Sequence, residues 1–239
     1  MKQRVILLWA SLILLLSSCV KDPEPDPIVR FSVLGDSYSA LEGYVDPETN
    51  DPWICYSDIG VTEPEQMWWH QVAVETGWVL EKNNSFSGSL ICNYNAVNYY
   101  GPFSFIRRME NLGNPDVILI FGGTNDIYYE VPLGDYVYAD WTEEQLCTFR
   151  PALAYLLDGL KRLYPKAVVY SLVDMELCID DTTIDNEIRQ AFIESMHCIA
   201  NHYHVNSIDL YGIHKDWWHP NVQGQEDIAR QVIEAVLAD

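Results

Sequence analysis

The stretch "FSVLGDSYSALEG", Phe31 to Gly43, carries an apolar segment into a glycine and then into Asp36, Ser37, Tyr38 and Ser39. An apolar run bounded by turn residues reads as a buried strand, here beginning near Ile28 and ending at Leu34. Ser37 is then either a nucleophile held at the end of a strand or a polar residue in a turn, and the stretch alone does not choose. Comparable runs recur at Val117 to Phe121 and Ala167 to Val173, with shorter ones at Trp78 to Glu81 and Val205 to Leu210.

Helical periodicity fills the gaps between these runs. Leu153, Leu156, Leu157, Leu160 and Leu163 recur on one face, as do Ile184, Ile188, Ala191, Ser195 and Ile199, and later Ile228, Val232, Ala235 and Val236 between Asn221 and Leu237. Thr142-Glu143-Glu144-Gln145 has capping-box form and predicts a helix start. Pro151 lacks an amide donor, so that helix is either kinked near Arg150 or restarted with Pro151 in its first turn, and Pro165 ends it. Trp68 and Trp69 fall in a predicted helix, so at least one belongs to the core. Alternating strands and helices imply an α/β fold, a mostly parallel sheet with helices on both faces, and such sheets gather ligands at the carboxyl ends of their strands.

The chain has 239 residues, 49% of them hydrophobic, which suits one sizeable core. Its formal charge of −21, from 35 acidic and 14 basic residues, argues against nucleic acid or any other polyanion as a partner. Lys2 and Arg4 precede an apolar run from Val5 to Leu16, shorter than the roughly 20 residues a spanning helix needs, and the run ends at Ser17-Ser18-Cys19. This resembles a bacterial lipoprotein signal, which implies that Cys19 is lipidated; an ordinary secretory signal or an uncleaved anchor is the plainer alternative. "VKDPEPDP" then alternates proline with acid and reads as an extended tether. The expected organisation is a signal at 1–18, a tether at 19–27 and one domain at 28–239, exported to the cell envelope on the periplasmic or surface side of a membrane and held there by the lipid anchor alone.

Export places Cys55, Cys92, Cys147, Cys178 and Cys198 in an oxidising compartment. An odd number leaves at least one thiol unpaired. No spacing of zinc type occurs. Sequence leaves the connectivity open; Cys55 with Cys92, both expected in loops at one end of the sheet, is the pair favoured.

Four stretches fall at strand ends or in the loops beyond them: "GDSYS", "NNSFSGS", "GGTND" and "DWWHPNVQG". Each alone has good turn composition and carries little. Together, and in this order, they resemble the SGNH hydrolase superfamily, the GDSL esterases and lipases, whose Ser, Gly, Asn and His markers correspond to Ser37, Gly88, Asn125 and His219. The resemblance implies a three-layer α/β/α fold with a mostly parallel five-stranded sheet of flavodoxin-like type. It further implies oxyanion donors at the amides of Ser37 and Gly88 and the side chain of Asn125. The chemistry agrees: a serine hydroxyl needs a base, His219 titrates near neutral pH, and Asp216, three residues before it, is spaced to orient the imidazole. No Gly-x-Ser-x-Gly elbow appears, which argues against an α/β-hydrolase.

Neighbouring residues receive plainer readings. Asp36 and Asp126 are expected to brace loops, His202 and His204 to pack or face solvent rather than bind metal, and His214 lacks the Asp-x-x-His context of a base. Asp180, Asp181 and Asp185 are expected to cap a helix. Trp53, Trp217 and Trp218 lie in loops expected near the site and would form a wall for a sugar ring or a slot for an acyl group, although packing is the plainer role of any one. The expected activity is a serine esterase with an acyl-enzyme on Ser37 and no metal or organic cofactor. Short acyl (acetyl) esters of glycans are the favoured substrates; a lipase, lysophospholipase or thioesterase is the alternative, and a carbohydrate-binding lipoprotein on a hydrolase fold is the non-enzyme one.

Overall fold

Arg30–Gly35 (β1) forms a strand in which every residue after Arg30 is buried, as a run of apolar residues closed by glycine requires. The computed structural model describes residues 28–41, 59–94, 103–177 and 183–238. The expected signal, tether and Cys19 lie outside the described residues, as do Trp53, Cys55, Cys178, Asp180 and Asp181.

After β1 follow a 3-10 turn at Pro64–Gln66, α1 (Trp68–Thr76), β2 (Val79–Ser85), α2 (Phe105–Arg108), β3 (Val117–Phe121) and α3 (Thr124–Tyr128). A second 3-10 turn at Gln145–Cys147 leads to α4 (Phe149–Leu163), β4 (Val168–Asp174), α5 (Asn186–His202) and β5 (Asn206–Leu210). The chain closes with the two-residue strands β6 (Lys215–Asp216) and β7 (His219–Pro220) and the helix α6 (Val222–Val236). The main sheet has five strands in the order β2-β1-β3-β4-β5, and every pairing is parallel.

Strand side chains alternate between faces. Val117, Leu119 and Phe121 join a cluster with Trp68, Trp69, Val72, Ile228 and Val232 from α1 and α6. Ile118 and Ile120 point to the opposite face and meet Leu153, Leu156, Leu160, Phe192 and Ile199 from α4 and α5. The layers are therefore α/β/α, as expected, and both Trp68 and Trp69 are core residues. Each fully buried leucine or phenylalanine contributes on the order of 1.5–3 kcal/mol.

The departures from expectation have local causes. β2 runs on past Glu81 through Lys82, Asn83, Asn84 and Ser85. Asn83, Asn84 and Ser85 are buried: Asn83 Nδ2 donates to the Ser39 carbonyl, Asn84 Nδ2 to the Arg108 and Asn111 carbonyls, and Ser85 Oγ to Asn83 Oδ1. The capping box at Thr142 forms, with the Thr142 amide donating to Gln145 Oε1 at 2.9 Å and the Gln145 amide to Thr142 Oγ1 at 3.3 Å. It starts only a 3-10 turn. The helix restarts at Phe149, with Pro151 in its first turn, where a missing amide costs nothing. In α5 the buried face is Arg189, Phe192, Ile193, Ser195, Met196, Ile199 and Ala200, so Ser195 and Ile199 lie where expected while Ile188 is half exposed. Asp185 is its cap, accepting from the Glu187 amide at 2.7 Å.

Candidate active site

At the carboxyl end of β1 the chain turns at once, with the Ser39 and Ala40 amides donating to the Asp36 carbonyl at 3.2 and 3.1 Å. This turn requires Gly35: a Cβ there would lie 2.7 Å from Ser39 Cβ, Ser39 Oγ and Ser85 Oγ. Ser37 is presented from the turn at 6% exposure. Its Oγ lies 3.0 Å from His219 Nε2. His219 opens β7, and the β6–β7 hairpin sets it opposite Asp216. Burial, and then the positive charge of Lys215, hold the His219 imidazole below its usual range, so its neutral, proton-accepting form prevails at neutral pH.

Asp216 faces His219 across the hairpin but no hydrogen bond joins the two. The Asp216 carboxylate accepts from Asn221 Nδ2 at 3.0 Å instead. Asn221 also caps α6, its Oδ1 accepting from the Gly224 amide at 3.0 Å.

Gly88 lies in the turn that follows β2, where the Phe86 amide donates to the Gly35 carbonyl at 3.1 Å and the Ser89 amide to the Phe86 carbonyl at 3.2 Å. Its φ of 74° falls where glycine is favoured. Asn125 lies in the first turn of α3, beyond β3, and its Nδ2 donates to Asp36 Oδ2 at 3.2 Å and to the Ser89 carbonyl at 3.1 Å. Ser37, Gly88 and Asn125 thus leave the adjacent strands β1, β2 and β3 at the same end of the sheet.

Below them lies a buried charged layer. Asp36 accepts from the Tyr38 amide at 2.9 Å, and Asp126 accepts from the Ile91 amide at 2.9 Å, which makes both of them loop braces as expected. Burial pushes each carboxyl up to about 7, and for Asp36 the nearby Asp126 adds to the rise while the Tyr38 amide and Arg108 oppose it. Arg108 is buried too and is pulled down to about 9 by desolvation, against the attraction of Asp36. Its guanidinium donates to the Gly35 carbonyl at 3.0 Å, Ser89 Oγ at 2.9 Å and the Asn84 carbonyl, tying β1, β2 and the Gly88 turn together. Sequence reasoning passed over Arg108, because a single arginine in a short helix carries no motif; so did it pass over Lys215, whose ammonium meets Asp174 at 2.5 Å.

Other candidates fall away from this centre. His214 Nδ1 pairs with Asp227 at 2.7 Å and is exposed. The His202 ring stacks on Tyr138 with centroids 3.8 Å apart. Among the described residues no group of three or more His, Cys, Asp and Glu is placed to hold a metal. Cys92 is a buried thiol in no disulfide, lying against Asp126; its expected partner Cys55 lies outside the described residues. Trp218 is half-buried, edge-on to Tyr128 at 5.0 Å, and Trp217 is 79% exposed on a left-handed backbone with φ 60°.

The sequence profile of the GDSL-like lipases and acylhydrolases matches residues 29–236. Among solved structures, a protein from Bacteroides ovatus named as a GDSL-like lipase is 41% identical, with a TM-score of 0.77, over 89% of this chain and 100% of that one. A second, from Bacteroides uniformis and named likewise, is 39% identical, with a TM-score of 0.76, over 90% and 98%. A carbohydrate esterase at 18% identity and a TM-score of 0.60, over 90% of this chain and 70% of that one, shares the fold. No curated protein sequence matches.

Proposed function

For a chain that belongs to the GDSL-like lipase/acylhydrolase family, and is thereby a serine hydrolase acting on esters, we propose that Ser37 is the nucleophile, His219 its base, and short acyl esters of glycans the substrates. The observation that carries the mechanism is the 3.0 Å contact between Ser37 Oγ and His219 Nε2, made by residues from opposite ends of the domain.

In acylation Ser37 Oγ attacks the ester carbonyl while its proton passes to His219 Nε2. The carbonyl oxygen gains charge and takes donors from the amides of Ser37 and Gly88 and from Asn125 Nδ2. Both Asn125 protons are engaged at 3.1 and 3.2 Å in this structure. A full negative charge is a stronger acceptor than the neutral Ser89 carbonyl, so that proton swings to the oxyanion. The tetrahedral intermediate collapses, His219 gives its proton to the departing alkoxide, and an alcohol leaves. Water then attacks the acyl-enzyme, its proton going to His219 and returning to Ser37 Oγ as the carboxylic acid departs. Asp216 orients the imidazole through Nδ1 once its carboxylate turns from Asn221.

The aromatic rim supports a glycan leaving group. Trp217 is the most exposed large apolar side chain among the described residues, two positions from the base, and a sugar ring offers C–H faces that stack on such a surface. Anchoring through Cys19 in the cell envelope completes the proposal and is tested by mass spectrometry of the mature N-terminus. For the chemistry, one sample of the purified protein is treated with a fluorophosphonate, and a separate untreated sample is assayed on acetylated oligosaccharides and on acyl esters of increasing chain length, with Ser37→Ala as the blank in both. A Ser37 adduct and a preference for acetyl sugars are expected. Absence of the adduct in folded protein sinks the nucleophile assignment; preference for chains of about eight carbons assigns the lipase alternative.

A further inference from the structure

Tyr38 directly follows Ser37, and its ring stands edge-on to the His219 imidazole with centroids 5.8 Å apart. Its hydroxyl donates to the Trp218 carbonyl at 2.5 Å, so the turn that presents the nucleophile clasps the hairpin that presents the base. Above the same ring, 5.6 Å from its centroid, lies the Lys215 ammonium. Lys215 belongs to β6 and donates to Asp174 Oδ2 at 2.5 Å at the last residue of β4. The two side chains are 8% and 1% exposed. Asp174 is fixed in turn, its Oδ1 accepting from the Glu176 amide at 3.0 Å.

The β6–β7 hairpin has two residue pairs, Lys215 with Pro220 and Asp216 with His219. A ladder this short does not hold itself in place. We propose that Asp174, Lys215 and Tyr38 are positioning residues for the Ser37–His219 couple, the ion pair fastening the hairpin to the end of β4 and Tyr38 fastening it to the turn after β1. This rests on the reading of Ser37 as nucleophile and His219 as base.

A buried ion pair is no stability device in itself, since well-packed apolar residues serve as well or better. What it supplies is direction. A salt-linked hydrogen bond fixes where Lys215 sits, and with it the register of the strand pair that aims His219. Lys215 has a second effect, because its charge repels an imidazolium and favours the neutral base before attack. The charged and titratable groups that face the imidazole are Lys215 and Asp216 from its own hairpin, Ser37 and Tyr38 from the turn after β1, and Asp174 from β4 behind Lys215.

The test removes both charges together, as Asp174→Asn with Lys215→Met, so that neither is left buried alone, and compares this pair with Tyr38→Phe and Lys215→Arg. With circular dichroism and melting still cooperative, kcat of the double variant is expected to fall on the order of 10- to 100-fold with KM nearly unchanged. The acid limb of kcat/KM moves to higher pH, because the repelling charge is gone. Tyr38→Phe lowers kcat on the order of 10-fold and leaves the acid limb in place. Lys215→Arg keeps the charge and therefore the acid limb, while its larger head lowers kcat. An NMR titration of the His219 ring shows the same upward shift in the double variant without any substrate. Failure of the wild type to hydrolyse esters or take up fluorophosphonate would sink the nucleophile reading and leave this titration standing. A folded double variant with wild-type kcat and wild-type His219 titration overturns the proposal; if it does not fold, wild-type kcat in Tyr38→Phe and in Lys215→Arg overturns it.

Discussion

Asn125→Ala tests two consequences of one side chain. As an oxyanion donor, its loss should lower kcat on the order of 10²- to 10³-fold, equivalent to about 3–4 kcal/mol of transition-state stabilisation. As a brace, it donates to Asp36 Oδ2 at 3.2 Å and to the Ser89 carbonyl at 3.1 Å, and stranding a buried acceptor costs about 1–3 kcal/mol, more when that acceptor is charged. Asp36 changes charge near pH 7 in the folded protein. Below that it is largely a neutral acid and loses little with Asn125; above it a buried carboxylate loses a donor. The destabilisation should therefore be larger at pH 9 than at pH 5. Steady-state hydrolysis of p-nitrophenyl acetate gives the first quantity, and urea melts at the two pH values give the second. A kcat within about fivefold of wild type would refute the oxyanion assignment, and equal destabilisation at both pH values would refute the carboxylate coupling.

Ser37→Ala should abolish both hydrolysis and fluorophosphonate uptake with little change in melting temperature, read by intact-mass spectrometry. The His219 ring, held below its usual range by burial and by Lys215, should put the acid limb of kcat/KM below about pH 6.5, and a limb above that value would contradict the environment described. Burial raises Asp36 and Asp126 from the ordinary carboxyl value of 3.8 to about 7 in the folded protein. Between these values the folded protein holds more protons than the unfolded one, so this pair's contribution to stability falls as pH rises from about 4 to 7, which urea melts across that range would measure. Trp217→Ala should raise KM for acetylated oligosaccharides and leave p-nitrophenyl acetate kinetics unchanged; an equal effect on both would remove Trp217 from sugar binding.

The strands β1, β3, β4 and β5 were legible because apolar runs between turn residues have few other uses in an alternating α/β chain. The tail of β2 was not, since Asn83, Asn84 and Ser85 satisfy buried polar groups with one another and with distant carbonyls, and no local pattern records such partners. The same holds around the site. Ser37, Gly88, Asn125 and His219 stand out only because four short stretches, none telling by itself, occur together and in one order. Arg108, Lys215 and Asp174 act through hydrogen bonds spanning up to 73 residues. Asp216 shows the limit from the other side: its spacing predicted a bond to His219, while local competition from Asn221 Nδ2 takes the carboxylate in this structure.

The order of the strands also sets a schedule. Ser37 leaves β1, the first strand, whereas His219 arrives only after β5, the last strand of the sheet. During synthesis the proposed nucleophile emerges early and stays without its proposed base until almost the whole domain has been made. A fragment ending between Leu210 and His219 retains all five strands and the serine but lacks the proposed proton acceptor, so on this reading hydrolysis becomes a signal of chain completion, switched on by the final turn of assembly.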